Sequence, residues 1–251
     1  MNNKQIEYTS TFDKKIKIIL NSNDNVFRPT ATSDFLIKGA AENIDKIGDL
    51  LDLGCGNGIV GITLSKLKKA KFIYCSDISD KAVEIANLNL RTNSCKGISI
   101  KSNIFSNLKG YKFNVIVNDI SGISDEVANL SKWFEKVPCN AGLDGCNNIE
   151  RVLSEGIDYL KENGQIFFPI ISLSNSKKIL KIARKNFKKI KKVSHNKWFL
   201  PNDLSCHLTT LKKLKNNGTI DYCEKFGKLI CWTDIYLVSW NMINENELIE
   251  I

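Results

Sequence analysis

The chain has 251 residues, with 36 Lys and Arg against 27 Asp and Glu, a formal charge of +9 and 43% hydrophobic residues. That balance excludes wholesale disorder and a fibrous chain, and the length suffices for a full core as one large α/β domain. The basic excess does not by itself indicate a nucleic acid. It is carried by 32 Lys and only 4 Arg beside 28 Asn, whereas phosphate and base readers lean on the bidentate Arg fork, and drift in a genome biased toward A and T accounts for it equally well.

The N-terminus, MNNKQIEYTSTFDKK, lacks the apolar stretch of a signal peptide. Apolar runs such as Gln165–Leu173 fall far short of the roughly 20 residues that span a membrane, so a cytoplasmic protein is expected. Residues 1–47 are read as an N-terminal cap segment. Within it, Phe27-Arg28-Pro29-Thr30-Ala31-Thr32-Ser33-Asp34 leads into a helical run, with Thr32 or Ser33 as N-cap and Asp34 in the first turn. From residue 48 short apolar runs alternate with amphipathic stretches. Gly48–Gly54 is a strand, Gly58–Leu67 a helix, Lys71–Ser76 a strand, and Ser79–Leu90 a helix with Ser79 as N-cap. Ile98–Lys101 and Asn114–Asn118 are further strands. Asn148–Leu160 is a helix, Asn163–Gly164 a turn, Gln165–Ile171 a strand and Ser174–Lys188 a helix, and Lys189–Ser194 and Leu229–Trp240 are late strands. Strands separated by helices imply right-handed crossovers and a largely parallel, doubly wound α/β sheet. With no repeat and no linker, residues 1–251 are expected to form a single domain, with residues 119–147 and 198–228 as insertions covering the site.

Chemistry concentrates in Leu50–Ile62, LLDLGCGNGIVGI, where an apolar strand turns through Gly54-Cys55-Gly56-Asn57-Gly58 straight into a helix. Such a turn brings backbone close to a ligand, and the helix N-terminus offers N–H groups to an anion. Gly56, Gly58 and Gly61 satisfy G-x-G-x-x-G with Asp77 downstream, so a dinucleotide and an NAD(P)-dependent oxidoreductase remain an alternative. Asp52, two residues before the first glycine, would repel a pyrophosphate and favour a ligand bearing an ammonium group. S-adenosylmethionine fits, having an ammonium, a carboxylate, a sulfonium and a ribose. The eight cysteines include no CxxC pair and the two histidines lie apart from them, so no metal site is expected. Cys206 and His207, being adjacent, point apart and do not suggest covalent catalysis.

These residues resemble the class I S-adenosylmethionine-dependent methyltransferases, whose first motif is an acid followed by alternating glycines, as in Asp52, Gly54, Gly56 and Gly58. The resemblance implies a Rossmann-like, mostly parallel seven-stranded sheet with an antiparallel last strand and helices on both faces. It places Asp77 on the ribose hydroxyls, Ile78 on the adenine, Asn103 and Ile104 beside the adenine amine, and Cys55 in the cofactor loop. Lys161-Glu162-Asn163-Gly164 is similar to the family's turn before its fifth strand. The leader is similar to that of the small-domain group, which includes release-factor, ribosomal-protein L11 and ribosomal-RNA guanine methyltransferases, and implies a cofactor contact from Thr32. At the end of the fourth strand, where relatives that methylate amines or amides carry Asn or Asp, two prolines and an aromatic, this chain has Asp119-Ile120-Ser121-Gly122. The acid is retained and the wall is not.

The expectation is therefore an S-adenosylmethionine-dependent methyltransferase acting on a macromolecular substrate, a translation-related protein or an RNA. Asp119 would orient or deprotonate the nucleophile. A cofactor-binding protein without catalysis is the other alternative, given the altered fourth-strand end. The basic run Lys177–Lys197 reads as a helix with lysines outward, a solvated face or a docking surface for RNA or an acidic protein.

Overall fold

The computed structural model describes residues 4–10, 13–135, 137 and 139–240. The chain opens with an antiparallel hairpin, β1 (Lys4–Thr9) and β2 (Lys17–Ser22), followed by α1 (Ala31–Asn43). Then come β3 (Gly48–Leu53), α2 (Ile59–Lys66), β4 (Ala70–Asp77), α3 (Asp80–Thr92), β5 (Gly97–Lys101) and β6 (Phe113–Asn118). The second half contains α4 (Asp125–Leu130), α5 (Asn147–Glu155), β7 (Leu160–Ile171), α6 (Ser176–Asn186), β8 (Lys189–Phe199), α7 (Asn202–Ser205), α8 (Leu208–Asn216), β9 (Cys223–Lys225) and β10 (Lys228–Ser239).

The main sheet runs β5-β4-β3-β6-β7-β10-β8, with β9 paired to the start of β10. Its first four pairings are parallel, whereas β10 is antiparallel to β7, β8 and β9. The reversed last strand thus lies inside the sheet, between β7 and β8, and the short β9 is one strand beyond the seven expected. All six residues of β6 are buried, as befits a central strand covered on both faces. Alternation along the strands sends Leu50, Val115, Val117 and Phe167 to a core shared with α1, α2 and α3. Leu51, Leu53, Ile116 and Ile166 face the opposite core, shared with α5 and α6.

Residues 4–43 pack on the first core as a hairpin followed by α1, the hairpin being an element that the sequence pattern does not announce. Ile18 and Leu20 of β2 are fully buried in the first core. Two side-chain amides of α3 dock this strand by imitating a neighbouring one. Asn93 accepts from Ile19 N (3.0 Å) and donates to Ile19 O (2.8 Å), while Asn89 accepts from Asn21 N (2.7 Å) and donates to Asn21 O (3.0 Å).

Several boundaries differ from expectation. The N-cap of α1 is Thr30, in a capping box with Ser33, instead of Thr32 or Ser33. The helix expected over Asn148–Leu160 is α5 followed by a 3₁₀ turn, Gly156–Tyr159, and Leu160 already belongs to β7. The Asn163–Gly164 turn is an irregularity inside β7, where the register against β6 slips between Phe113 and Val115. Strand β8 extends to Phe199, so the second covering insertion begins as sheet. Ser79 caps α3 as expected, accepting from Ala82 N. No helix among the described residues is long and apolar enough to cross a membrane.

Candidate active site

At the carboxyl ends of β3, β4 and β6 the chain leaves the sheet in three consecutive turns, and a cavity of about 470 Å³ opens there, within the usual range for a small-molecule site. Its floor is the glycine turn. Gly54 N and Cys55 N both donate to Ser76 O (2.8 and 3.0 Å), bending the chain off the sheet. Gly54 has φ +74°, and a Cβ there would stand 2.5 Å from the Ile120 side chain, so no other residue fits. Gly58, at φ +81°, is the N-cap of α2 and has no side chain to cap it; Ile59 N donates instead to Asn57 Oδ1 (3.3 Å) and Gly61 N to Asp52 Oδ2 (2.8 Å).

Asp77 ends β4 with both carboxylate oxygens engaged by backbone: Oδ2 accepts from Gly56 N (3.0 Å) and Oδ1 from Ser79 N (2.9 Å). It thereby fixes the glycine turn while lining the cavity, and each oxygen keeps a lone pair for a ligand hydroxyl. Next to it Ile78 is 64% exposed, a large apolar side chain placed where a flat ligand ring would cover it. Across the cavity lie Asn103 and Ile104. Ile104 is buried at φ +55°, and Asn103 accepts from Arg151 Nη1 at 3.2 Å, so one lone pair of its amide oxygen is taken.

The third wall is the end of β6. Asp119 N donates to Leu53 O (3.0 Å), and Ser33 Oγ donates to Asp119 Oδ2 (2.6 Å). Burial pushes the Asp119 carboxyl up to about 6; the Ser33 hydrogen bond opposes this and the nearby Asp34 charge adds to it. Asp34 is itself raised by burial and accepts from the Tyr8 hydroxyl of β1. The N-terminal hairpin and α1 therefore reach into the electrostatics of the site.

Asp52 is fully buried and does not line the cavity. Its alternation along β3 points it behind the glycine turn, where Oδ2 accepts from Gly61 N (2.8 Å) and Oδ1 has no partner. Burial raises its carboxyl well above the usual range, with the charges of Asp119 and Asp77 adding to the effect. It acts on the site as an anchor for α2, not as a wall residue. Gly58 and Thr32 also lie outside the cavity wall, Gly58 as a helix cap and Thr32 on the outer turn of α1. The cavity thus gathers Gly54, Cys55, Gly56, Asp77, Ile78, Asn103, Ile104 and Asp119.

Sequence reasoning missed Ser33 as the partner of Asp119, and also Phe27, Cys139, Asn140 and Asn148 in the wall. Phe27 stacks on Phe134 (centroids 5.4 Å apart), which ties the leader to the covering segment across the cavity mouth. The expected covering role of residues 119–147 gave the segment, but not which side chains turn inward. Among the described residues no group of three or more His, Cys, Asp or Glu is placed to hold a metal ion.

Comparison with known proteins agrees with this geometry. Residues 17–119 match the family model described as Methyltransferase small domain, the group that the sequence resembles. The chain is 33% identical over 140 residues to the ribosomal protein uL3 glutamine methyltransferase of Francisella tularensis, covering 53% of this chain and 44% of that protein. It is 32% identical over 146 residues to the ribosomal protein L11 methyltransferase of Caldanaerobacter subterraneus, covering 57% and 45%. The chain thus spans less than half the length of these two relatives. Among solved structures, the ribosomal protein L11 methylase of Lactobacillus delbrueckii superposes with a TM-score of 0.55 over 90% of this chain and 89% of that one, at 18% identity. That likeness shows the fold, a Rossmann-like, mostly parallel sheet.

Proposed function

We propose that the protein transfers a methyl group from S-adenosylmethionine to an amine of a translation-related protein in the cytoplasm. The observation that carries this reading is one cavity holding two acids with different tasks. Asp77 is locked by backbone N–H groups beside an exposed Ile78, and Asp119 is raised to about 6 at the next strand tip but one.

The residues fit the cofactor. The Asp77 carboxylate is placed to accept from ribose hydroxyls, and Ile78 and Ile104 to hold the adenine. Asp52 acts from behind the turn, where it accepts from Gly61 N and so holds the loop that meets the cofactor. When bound, the cofactor supplies an activated methyl group whose C–S bonding electrons return to sulfur as the acceptor's lone pair forms the new bond. The protein's part is positioning, exclusion of water and proton handling. Above about pH 6 Asp119 is a carboxylate, held by Ser33, that accepts a hydrogen bond or a proton from the acceptor nitrogen. Asp119-Ile120-Ser121-Gly122 offers no proline wall or aromatic to clamp a flat amide, and an acid at this position suits an amine that must lose a proton.

Calorimetric titration should show S-adenosylhomocysteine binding that Asp77→Asn weakens about tenfold or more. Radiolabelled methyl transfer into a cell extract should then give label that protease destroys and RNase does not. Preference for NAD, or label lost to RNase alone, overturns the reading.

A further inference from the structure

Beyond the cofactor cavity, the sheet carries a second surface whose composition the fold does not require. Strands β8, β9 and β10 project past the rest of the sheet at the end where β3, β4 and β6 open into the cavity. There Ile230 stands opposite Phe199 on one side and Cys223 on the other, Trp232 opposite Lys197, and Lys228 opposite Lys225. Residues paired in this way share a face. The inner face, Leu229 and Cys231, is buried against Leu211 and Leu214 of α8. The outer face therefore presents Lys197, Phe199, Lys225, Lys228 and Trp232 together.

Three features set this face apart from a solvated one. Phe199 is 61% exposed with the Lys228 ammonium 5.1 Å above its ring. Phe226 is 92% exposed at the tip of the β9–β10 hairpin, with Lys225 5.3 Å from its ring. Phe226 and Gly227 form the two-residue turn at φ +52° and +69°, a conformation that favours Asn-Gly and strains a bulky side chain. An aromatic placed there is held by its own chain only through the Lys225 ammonium. The only acid on the same face among the described residues is Asp234, closed off by Lys192 (3.2 Å) and His195 (2.6 Å). Lys197, Lys225 and Lys228 form no ion pair among the described residues.

We propose that this outer face of β8, β9 and β10 binds single-stranded RNA beside the methyl-transfer cavity. Exposed rings interleaved with lysines match unpaired bases on a phosphate backbone, since each base offers a face for stacking and each phosphate a site for an ammonium. A duplex keeps its bases stacked away from such rings, and an acidic peptide would use the lysines but not the rings. On the inner face of the same ribbon Trp198 of β8 meets Trp133 of the covering segment edge-on at 6.0 Å, and Ser172 N donates to Trp232 O where the ribbon leaves β7. RNA held here would lie at the end of the sheet that carries the cavity, as for a protein methylated within a ribonucleoprotein.

The test is fluorescence anisotropy with the full chain and a labelled oligouridylate of about 12 nucleotides, within the usual site sizes for sheet surfaces that bind single strands. A duplex RNA of equal length and polyglutamate serve as competitors. Phe199→Ala with Phe226→Ala should weaken binding about tenfold or more. Lys197→Gln, Lys225→Gln and Lys228→Gln together should lower the salt slope by about two. S-adenosylhomocysteine titration and thermal melting verify that each variant is folded, and they keep this result separate from the fate of the methyltransferase reading. Unchanged affinity in the aromatic variant, or competition by duplex or polyglutamate as strong as by the single strand, overturns the proposal.

Discussion

Replacing Asp119 by Asn should make the protein more stable at neutral pH and nearly inactive, and the stability gain should depend on pH in a defined way. The Asp119 carboxyl titrates at about 6 in the folded chain against 3.8 as its ordinary value. That difference of about two units is worth roughly 3 kcal/mol at about 1.4 kcal/mol per unit. Because the folded pKa is the higher one, the folded state binds the extra proton between about pH 4 and 6, and stability falls as pH rises through that window. An Asn carries no such cost and still accepts from Ser33, but its amide must be desolvated too. We therefore expect about half the full figure, roughly 1–2 kcal/mol, or about 3–6 °C in Tm for a chain of this size. Relief of the repulsion between Asp119 and Asp52 adds in the same direction. The assay is a series of thermal melts of both proteins from pH 4 to 8. The curves should cross between pH 4 and 6, the wild type being the more stable by about 1–2 kcal/mol at the acid end and the variant by about as much above pH 6, while methyl transfer falls by about 10² or more throughout. A variant less stable than wild type at pH 8, or a difference independent of pH, would refute the reasoning.

Asp52→Ala removes the acceptor of Gly61 N that anchors α2 behind the glycine turn and should weaken S-adenosylhomocysteine several-fold in the calorimeter; unchanged affinity would refute that anchoring role. Gly61→Ala puts a Cβ 2.8 Å from Ile73 Cγ2 and 3.1 Å from Asp52 Oδ2. It should cost about 1–3 kcal/mol in denaturant melts. Asn89→Ala removes the amide that pairs with both backbone groups of Asn21 and donates to Asn57 O. A loss of about 2–3 kcal/mol is expected, with hydrogen exchange rising first in residues 17–22.

The strand–helix alternation was legible because each parallel strand is a short apolar run buried on both faces, and each helix repeats at its own period. The glycine turn was legible because alternating glycines after a strand have few other uses. What sequence could not separate were residues alike in type but different in direction. Asp52 and Asp77 are both acids near strand tips. Yet Asp52 sits one step before its strand's end, on the face toward α2, whereas Asp77 ends its strand and faces the cavity. Thr30, Thr32 and Ser33 are equally good caps by composition, and only the extended backbone at Thr30 decides among them. The hairpin of β1 and β2 carried a period-two signal in Ile18 and Leu20. Its docking depends on Asn89 and Asn93, some 70 positions away, so no local pattern announces it. The Ser33–Asp119 contact is hidden for the same reason, being made across 86 positions.

The placement of β10 between β7 and β8 has a consequence for how the sheet is assembled. Strand β8 has no pairing with β7, and its one described pairing, with β10, runs through residues 230–239. Until those residues join, β7 and β8 each present an open edge, and β8 is a lysine-studded ribbon awaiting its neighbour. The lysines at 189, 191 and 192 discourage that waiting edge from pairing with another chain. Closure of the sheet there is a long-range event in which one segment zips two edges at once.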